Sequence, residues 1–150
     1  ISVKRYVKKY LDSDEYSNSL GNSYSGMEYG TEIHLAAYRH AMGIKFKSES
    51  MGEERVKKFI DGLKADKLEA EVDFSLPMNG KLIRGSIDLL AHYDDRIVVV
   101  DYKTDTDLSR QQEYIEQVKL YVDAVRNLYK DKNVNGKLYY VGLDEEIDIT

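Results

Sequence analysis

The chain predicts an α/β fold: a mixed central sheet, made of an antiparallel three-strand meander plus a further strand, flanked by helices. Three observations carry this. Apolar residues recur at helical spacing before residue 64 and again after residue 109. Between Ala70 and Lys103 the spacing drops to alternation, the period of a strand. Two turn signals, Asn79-Gly80 and Asp94-Asp95, divide that stretch into three strands. A helix between the third strand and a fourth lets the chain cross over and return to the sheet.

Each element has its own justification. Val3, Tyr6, Val7, Tyr10 and Leu11 form an i, i+3, i+4, i+7 stripe, which predicts a helix over 3–11. Residues 12–26 are rich in Ser, Asn, Asp and Gly and read as a loop. Ile33, Ala36, Ala37, His40 and Ala41 give a second helix over about 28–41, and Val56, Phe59, Ile60 and Leu63 a third over 53–64. Ala70, Val72, Phe74 and Leu76 alternate along a strand over 70–77. A second strand covers 82–92. The third, 97–103, carries a continuous Ile97-Val98-Val99-Val100 run, the pattern of a strand buried on both faces. Residues 109–130 form a long amphipathic helix. Asn135-Gly136 reads as a turn, followed by a last main strand over 137–143.

Composition narrows the classes of function. With 150 residues, 42% of them hydrophobic, the chain can pack the core of one domain spanning 1–150. No apolar run reaches the ~20 residues of a membrane helix, so no membrane role is expected. The N-terminus lacks the apolar core of a signal peptide, so a cytoplasmic protein is expected. Cysteine is absent, which excludes disulfides, thiolate zinc, cysteine-held iron–sulfur clusters and cysteine nucleophiles. A net charge of −5 argues against tight autonomous binding to nucleic acid. It is compatible with an acidic site that holds a metal.

The informative stretch is Gly85-Ser86-Ile87-Asp88 followed by Val100-Asp101-Tyr102-Lys103-Thr104. Alternation puts Asp101 and Lys103 on one face. If Asp94-Asp95 centres an even hairpin turn, Asp88 lies directly opposite Asp101, at a Cβ separation of ~5 Å. Two carboxylates so placed repel and need compensation, for which a divalent cation is the natural candidate. Lys103 then projects beside that cation, where an ammonium can hold a water or stabilise charge on a phosphate. An isolated D-x-K is common and means little. Here the Asp follows four apolar residues, so its charge is expected to be partly buried and partnered. Paired carboxylates also serve glycosidases, but the added lysine fits phosphoryl chemistry better.

At these residues the chain resembles the RecB-like branch of the PD-(D/E)XK nuclease superfamily, which includes nuclease domains of helicase–nucleases and CRISPR adaptation nucleases. Four motifs occur in the family's order: Gly30-Thr31-Glu32-Ile33-His34, Gly85-Ser86-Ile87-Asp88, Val100-Asp101-Tyr102-Lys103-Thr104 and Gln117-Val118-Lys119-Leu120-Tyr121. The opening Ser2-Val3 to Tyr10-Leu11 also looks like the family's N-terminal helix, so the resemblance covers nearly the whole chain.

The resemblance implies a restriction-endonuclease-like fold and a DNA nuclease using Mg²⁺ or Mn²⁺, exonuclease rather than endonuclease, acting in recombination or repair. Asp88, Asp101, His34 and the Tyr102 carbonyl would hold the metal, with Lys103 as the catalytic lysine. Gln117 and Tyr121 would contact the DNA backbone or position the lysine. Thr104 belongs to the same motif, and Glu71 matches the family's less regular acidic position. The implied partners are DNA, single-stranded or at duplex ends, and a helicase, fused or separate. The domain would then be an excised part of a longer helicase–nuclease chain. Many RecB-like nucleases bind an iron–sulfur cluster through four cysteines; this chain has none, so no cluster is expected. The rival reading is a catalytically silent module that keeps the fold to bind DNA or dock a helicase.

Overall fold

A computed structural model describes residues 24–150. The helix expected over 3–11, and the loop as far as residue 23, lie outside the described residues. The elements run α1 (Tyr24–Ala41), α2 (Met51–Leu63), β1 (Lys67–Met78), β2 (Lys81–His92), β3 (Arg96–Lys103), α3 (Gln111–Leu128), β4 (Asn133–Tyr140) and β5 (Glu145–Ile149). The five strands form one sheet in sequential order, antiparallel throughout except for the parallel pair β3–β4. That exception follows from α3, the crossover that returns the chain to the same end of the sheet. No helix among the described residues is long and apolar enough to cross a membrane.

Helix α1 starts at Tyr24, inside the stretch read as loop. Helix α2 starts two residues before Glu53, because Ser50 caps it. The Ser50 hydroxyl accepts the Glu53 amide and donates to the Glu53 carboxylate, both at 3.2 Å, and that carboxylate also accepts the Glu49 amide at 3.3 Å, a variant of the capping box shifted one residue outward. Glu53 is therefore the third residue of the first turn. The β1–β2 hairpin turns at Asn79-Gly80 as predicted, with φ of 52° and 75° at the two positions.

Asn135-Gly136 is not a turn. Both residues sit inside β4, opposite Val98 and Val99. A Cβ on Gly136 would stand 2.5 Å from Val118 Cγ1 and 3.1 Å from Val122 Cγ2. The missing side chain lets α3 press onto β4, a tertiary requirement that the dipeptide alone does not reveal. The last main strand therefore spans 133–140, and an additional edge strand, β5, follows it.

Helices cover both faces of the sheet. One core joins α1 and α2 (Ile33, Ala37, Val56, Phe59) to Leu89, Val98, Val100 and Tyr102. The other joins α3 (Tyr114, Val118, Tyr121) to Phe74, Ile83, Ile87, Ile97 and Val99. The run Ile97 to Val100 is thus buried on alternate faces, as its continuity predicted, at ~1.5–3 kcal/mol per side chain.

One irregularity positions the site. Below it, Leu68, Ala70, Leu89 and Ala91 pack with α1 and α2; above it, Val72, Phe74, Leu76 and Ile87 pack with α3. The inward face changes over at Glu71 and Asp88, the step skipped between the pairs Ala70↔Leu89 and Val72↔Ile87. Glu71 takes a φ of 53°, which makes the change.

Candidate active site

Where β2 and β3 part, the chain gathers its charged residues. The ladder runs through Leu89↔Val100, the predicted register, and stops one step before Asp88 would face Asp101. Asp88 Oδ2 instead accepts the Tyr102 amide at 2.9 Å, satisfying a donor the ladder leaves open.

From the α1 side, His34 Nε2 lies 3.2 Å from Asp88 Oδ2. His34 Nδ1 donates to the Gly30 carbonyl at 2.7 Å, which fixes the ring and turns Nε2 toward the carboxylate. The spacing of Gly30 and His34, one turn apart, makes this bond. Gly30 also brings α1 against the end of β3: a Cβ there would lie 3.6 Å from Thr104 Oγ1.

On the α3 side, Lys103 Nζ stands 3.1 Å from Asp101 Oδ2 and donates to Gln117 Oε1 at 3.2 Å. Gln117 Nε2 in turn donates to the Tyr121 hydroxyl at 2.9 Å. Gln117 and Tyr121 are both buried, with Gln117 touching the lysine and Tyr121 behind it. Sequence reading passed over Tyr114. Its ring lies 4.3 Å from Lys103 Nζ, and its hydroxyl donates to Asp105 at 2.8 Å. The available signal was helical spacing, which puts 114, 117 and 121 on one face of α3.

The two carboxylates, expected to stand opposed, are parted and have separate counter-charges, His34 for Asp88 and Lys103 for Asp101. Burial works against the His34 charge, but the bond and charge of Asp88 outweigh it and raise the imidazole to about 9. Burial likewise pushes Asp88 up, and His34 more than reverses this, holding its carboxyl below the usual range. Asp101, 3% exposed, is raised to about 6 by burial, with Lys103 opposing and Asp88 adding. Glu71 is exposed, accepts from the Ser86 hydroxyl at 3.3 Å, and is raised by partial burial and by Asp88.

Among the described residues, no three His, Asp or Glu side chains stand ready as a cage for a cation. The donors nevertheless suit one. Asp101 Oδ2 is buried, with the Lys103 ammonium 3.1 Å away answering its charge. Asp88 offers a carboxylate, and His34 a nitrogen already oriented by Gly30. Two carboxylates and one imidazole suit a hard-to-borderline divalent ion. The Tyr102 ring is buried edge-on to both His34 and Phe59, walling the site from the α2 side.

A mixed sheet between helical layers, with acid–lysine chemistry at a splayed strand pair, defines a restriction-endonuclease-like α/β domain. The chain belongs to the PD-(D/E)XK nuclease superfamily, whose family model matches residues 5–149. It is 36% identical over 93 residues to an ATP-dependent helicase/nuclease subunit of Streptococcus suis, covering 56% of this chain and 8% of the relative. It is 38% identical over 73 residues to the helicase/nuclease subunit of the same name from Carboxydothermus hydrogenoformans, covering 45% of this chain and 6% of the relative. The chain thus spans under a tenth of these relatives' length. The solved structure of SSO0001 shares the fold, with a TM-score of 0.52 at 17% identity, covering 100% of this chain and 66% of that one.

Proposed function

We propose that this chain is the catalytic domain of a Mg²⁺- or Mn²⁺-dependent deoxyribonuclease that hydrolyses phosphodiester bonds. It acts as an exonuclease on single strands or duplex ends and works with a helicase in recombination or repair. The observation that carries this reading is Asp101 and Lys103 on one strand face: a buried carboxylate beside an ammonium held on three sides. The matched relatives are named as ATP-dependent helicase/nuclease subunits, which supports a helicase partner, fused or separate.

Asp88, Asp101, His34 and the Tyr102 carbonyl would hold the cation. When bound, the cation supplies positive charge for the phosphate and lowers the pKa of a water. The chain's own groups do the rest. His34 gives up its Nε2 proton to become a ligand, while Nδ1 keeps its bond to Gly30. Lys103 holds its ammonium where it can hydrogen-bond the attacking water or a phosphate oxygen. Gln117, braced by Tyr121, and the Tyr114 ring fix that ammonium in its place beside Asp101. Thr104 seats the end of β3 against α1, and Glu71 stands on the solvent side as a supporting carboxylate.

The test is cleavage of end-labelled single- and double-stranded DNA with Mn²⁺, Mg²⁺ or EDTA, comparing wild type with Lys103→Ala. The expected result is divalent-dependent cleavage, reduced by ~10²-fold or more in the variant. Cleavage that persists in EDTA or survives the substitution would overturn the assignment. A chain silent with every cation would be a DNA-binding or helicase-docking module.

A further inference from the structure

Resting on the nuclease reading, we infer that the outer face of the β1–β2 hairpin carries the substrate strand away from the cut, and that Arg84 holds one of its phosphates. The hairpin continues past the Glu71/Asp88 step to its tip at Asn79-Gly80, paired from Val72↔Ile87 to Met78↔Lys81. Beyond that step Phe74, Leu76, Ile83 and Ile87 turn inward against α3. The opposite face therefore presents Leu82, Arg84 and Ser86 in line along β2, leading to the changeover at Asp88. The bond from the Ser86 hydroxyl to Glu71 ties this face to the site.

The order along β2 is chemically directional. Asp88 lies at the inner end, Ser86 offers a hydroxyl, and Arg84 an exposed guanidinium. Arg84 takes part in none of the ion pairs found among the described residues. It borders a shallow cleft of about 480 Å³ with Asp73, Phe74, Ser75 and Gly85. Asp73 and Glu71 occupy the neighbouring row on β1, and Glu71 reaches across to Ser86, so Arg84 is the cationic end of an otherwise acidic face. In a chain of net charge −5, an arginine outside these ion pairs, on the row that leads to Asp88, offers a guanidinium to the phosphodiester backbone of a strand bound at the site. Four residue steps along the strand take Arg84 to Asp88, a span of ~13 Å. That equals about four nucleotides of stacked strand at ~3.4 Å each.

The experiment is fluorescence anisotropy of labelled oligothymidylates of three and twelve nucleotides on the full chain. Ca²⁺ replaces Mg²⁺, and gels confirm that the strands stay intact. Arg84→Ala is expected to weaken binding of the longer strand about fivefold and to lower its salt slope by ~0.7. Arg84→Lys should recover most of the affinity, because a backbone phosphate needs charge more than a bidentate fork. The shorter strand, unable to span both ends of the row, should respond less to either change. Unchanged affinity for the longer strand in Arg84→Ala, or equal losses on both lengths, would overturn the proposal. Cleavage lost in Lys103→Ala while Arg84→Ala binds normally would sink this inference and leave the nuclease reading standing. Cleavage indifferent to Lys103 would sink the nuclease reading itself.

Discussion

His34 shows how a single residue sets the pH behaviour of the site. Its folded-state pKa of about 9 stands above the ordinary 6.5. The His34–Asp88 interaction therefore contributes fully below about pH 6.5 and fades as pH rises through 9. The side chain is 35% exposed, so solvent screening trims the contribution to about 1–2 kcal/mol. Melting in EDTA should show His34→Ala costing most at pH 6 and almost nothing near pH 10; a constant penalty would refute the assignment. Asp101 works in a lower window. Raised to about 6, it favours the fold below its unfolded value near 4 and withdraws that support as pH climbs through 6. His34 came into view only through the resemblance of its Gly30–His34 motif, whereas Asp88, Asp101 and Lys103 were legible as chemistry because residue type and period are local. Tyr114 and the direction of the Gln117 side chain were not, because they depend on how α3 seats on the sheet.

Glycine separates the elements whose identity is local from those decided by packing. In α2, Gly62 is exposed and a Cβ there would meet no atom within 4 Å. Gly62→Ala should stabilise the helix by about 0.5–1 kcal/mol. In β4, Gly136→Ala should cost about 1–3 kcal/mol, because the new methyl would strike Val118 and Val122. Thermal melts of the two variants should move in opposite directions; a neutral Gly136→Ala would mean that α3 has room to retreat. The same contrast accounts for the reading of the turns. Asn79-Gly80 sits where both strand patterns end, so its local preference prevails. Asn135-Gly136 has equal turn preference, but pairing with β3 and contact with α3 override it.

For the molecule as a whole, the site depends on three elements that meet only in the folded chain: α1, the β2–β3 splay and α3. Cation binding should therefore register as global stability. At a hundred times the dissociation constant a divalent ion should add about 2.7 kcal/mol. Asp88→Asn keeps an acceptor for the Tyr102 amide while removing the charge, so in EDTA at pH 7 it should lose about the 1–2 kcal/mol of the His34–Asp88 interaction and show no rise on adding Mn²⁺. A rise retained in the variant would place the ion elsewhere. The sequence by itself determined the α/β class, the meander and its register, and the alternation that puts Asp101 and Lys103 on one face. All of these follow from period and turn chemistry within a few residues. Only the tertiary structure decided that the Asp88–Asp101 pair opens rather than closes, that His34 and Lys103 answer the two carboxylates separately, and that β4 absorbs a turn-forming dipeptide. Those outcomes depend on helices packing from opposite faces, and the sequence separation between them is too large for any local pattern to encode.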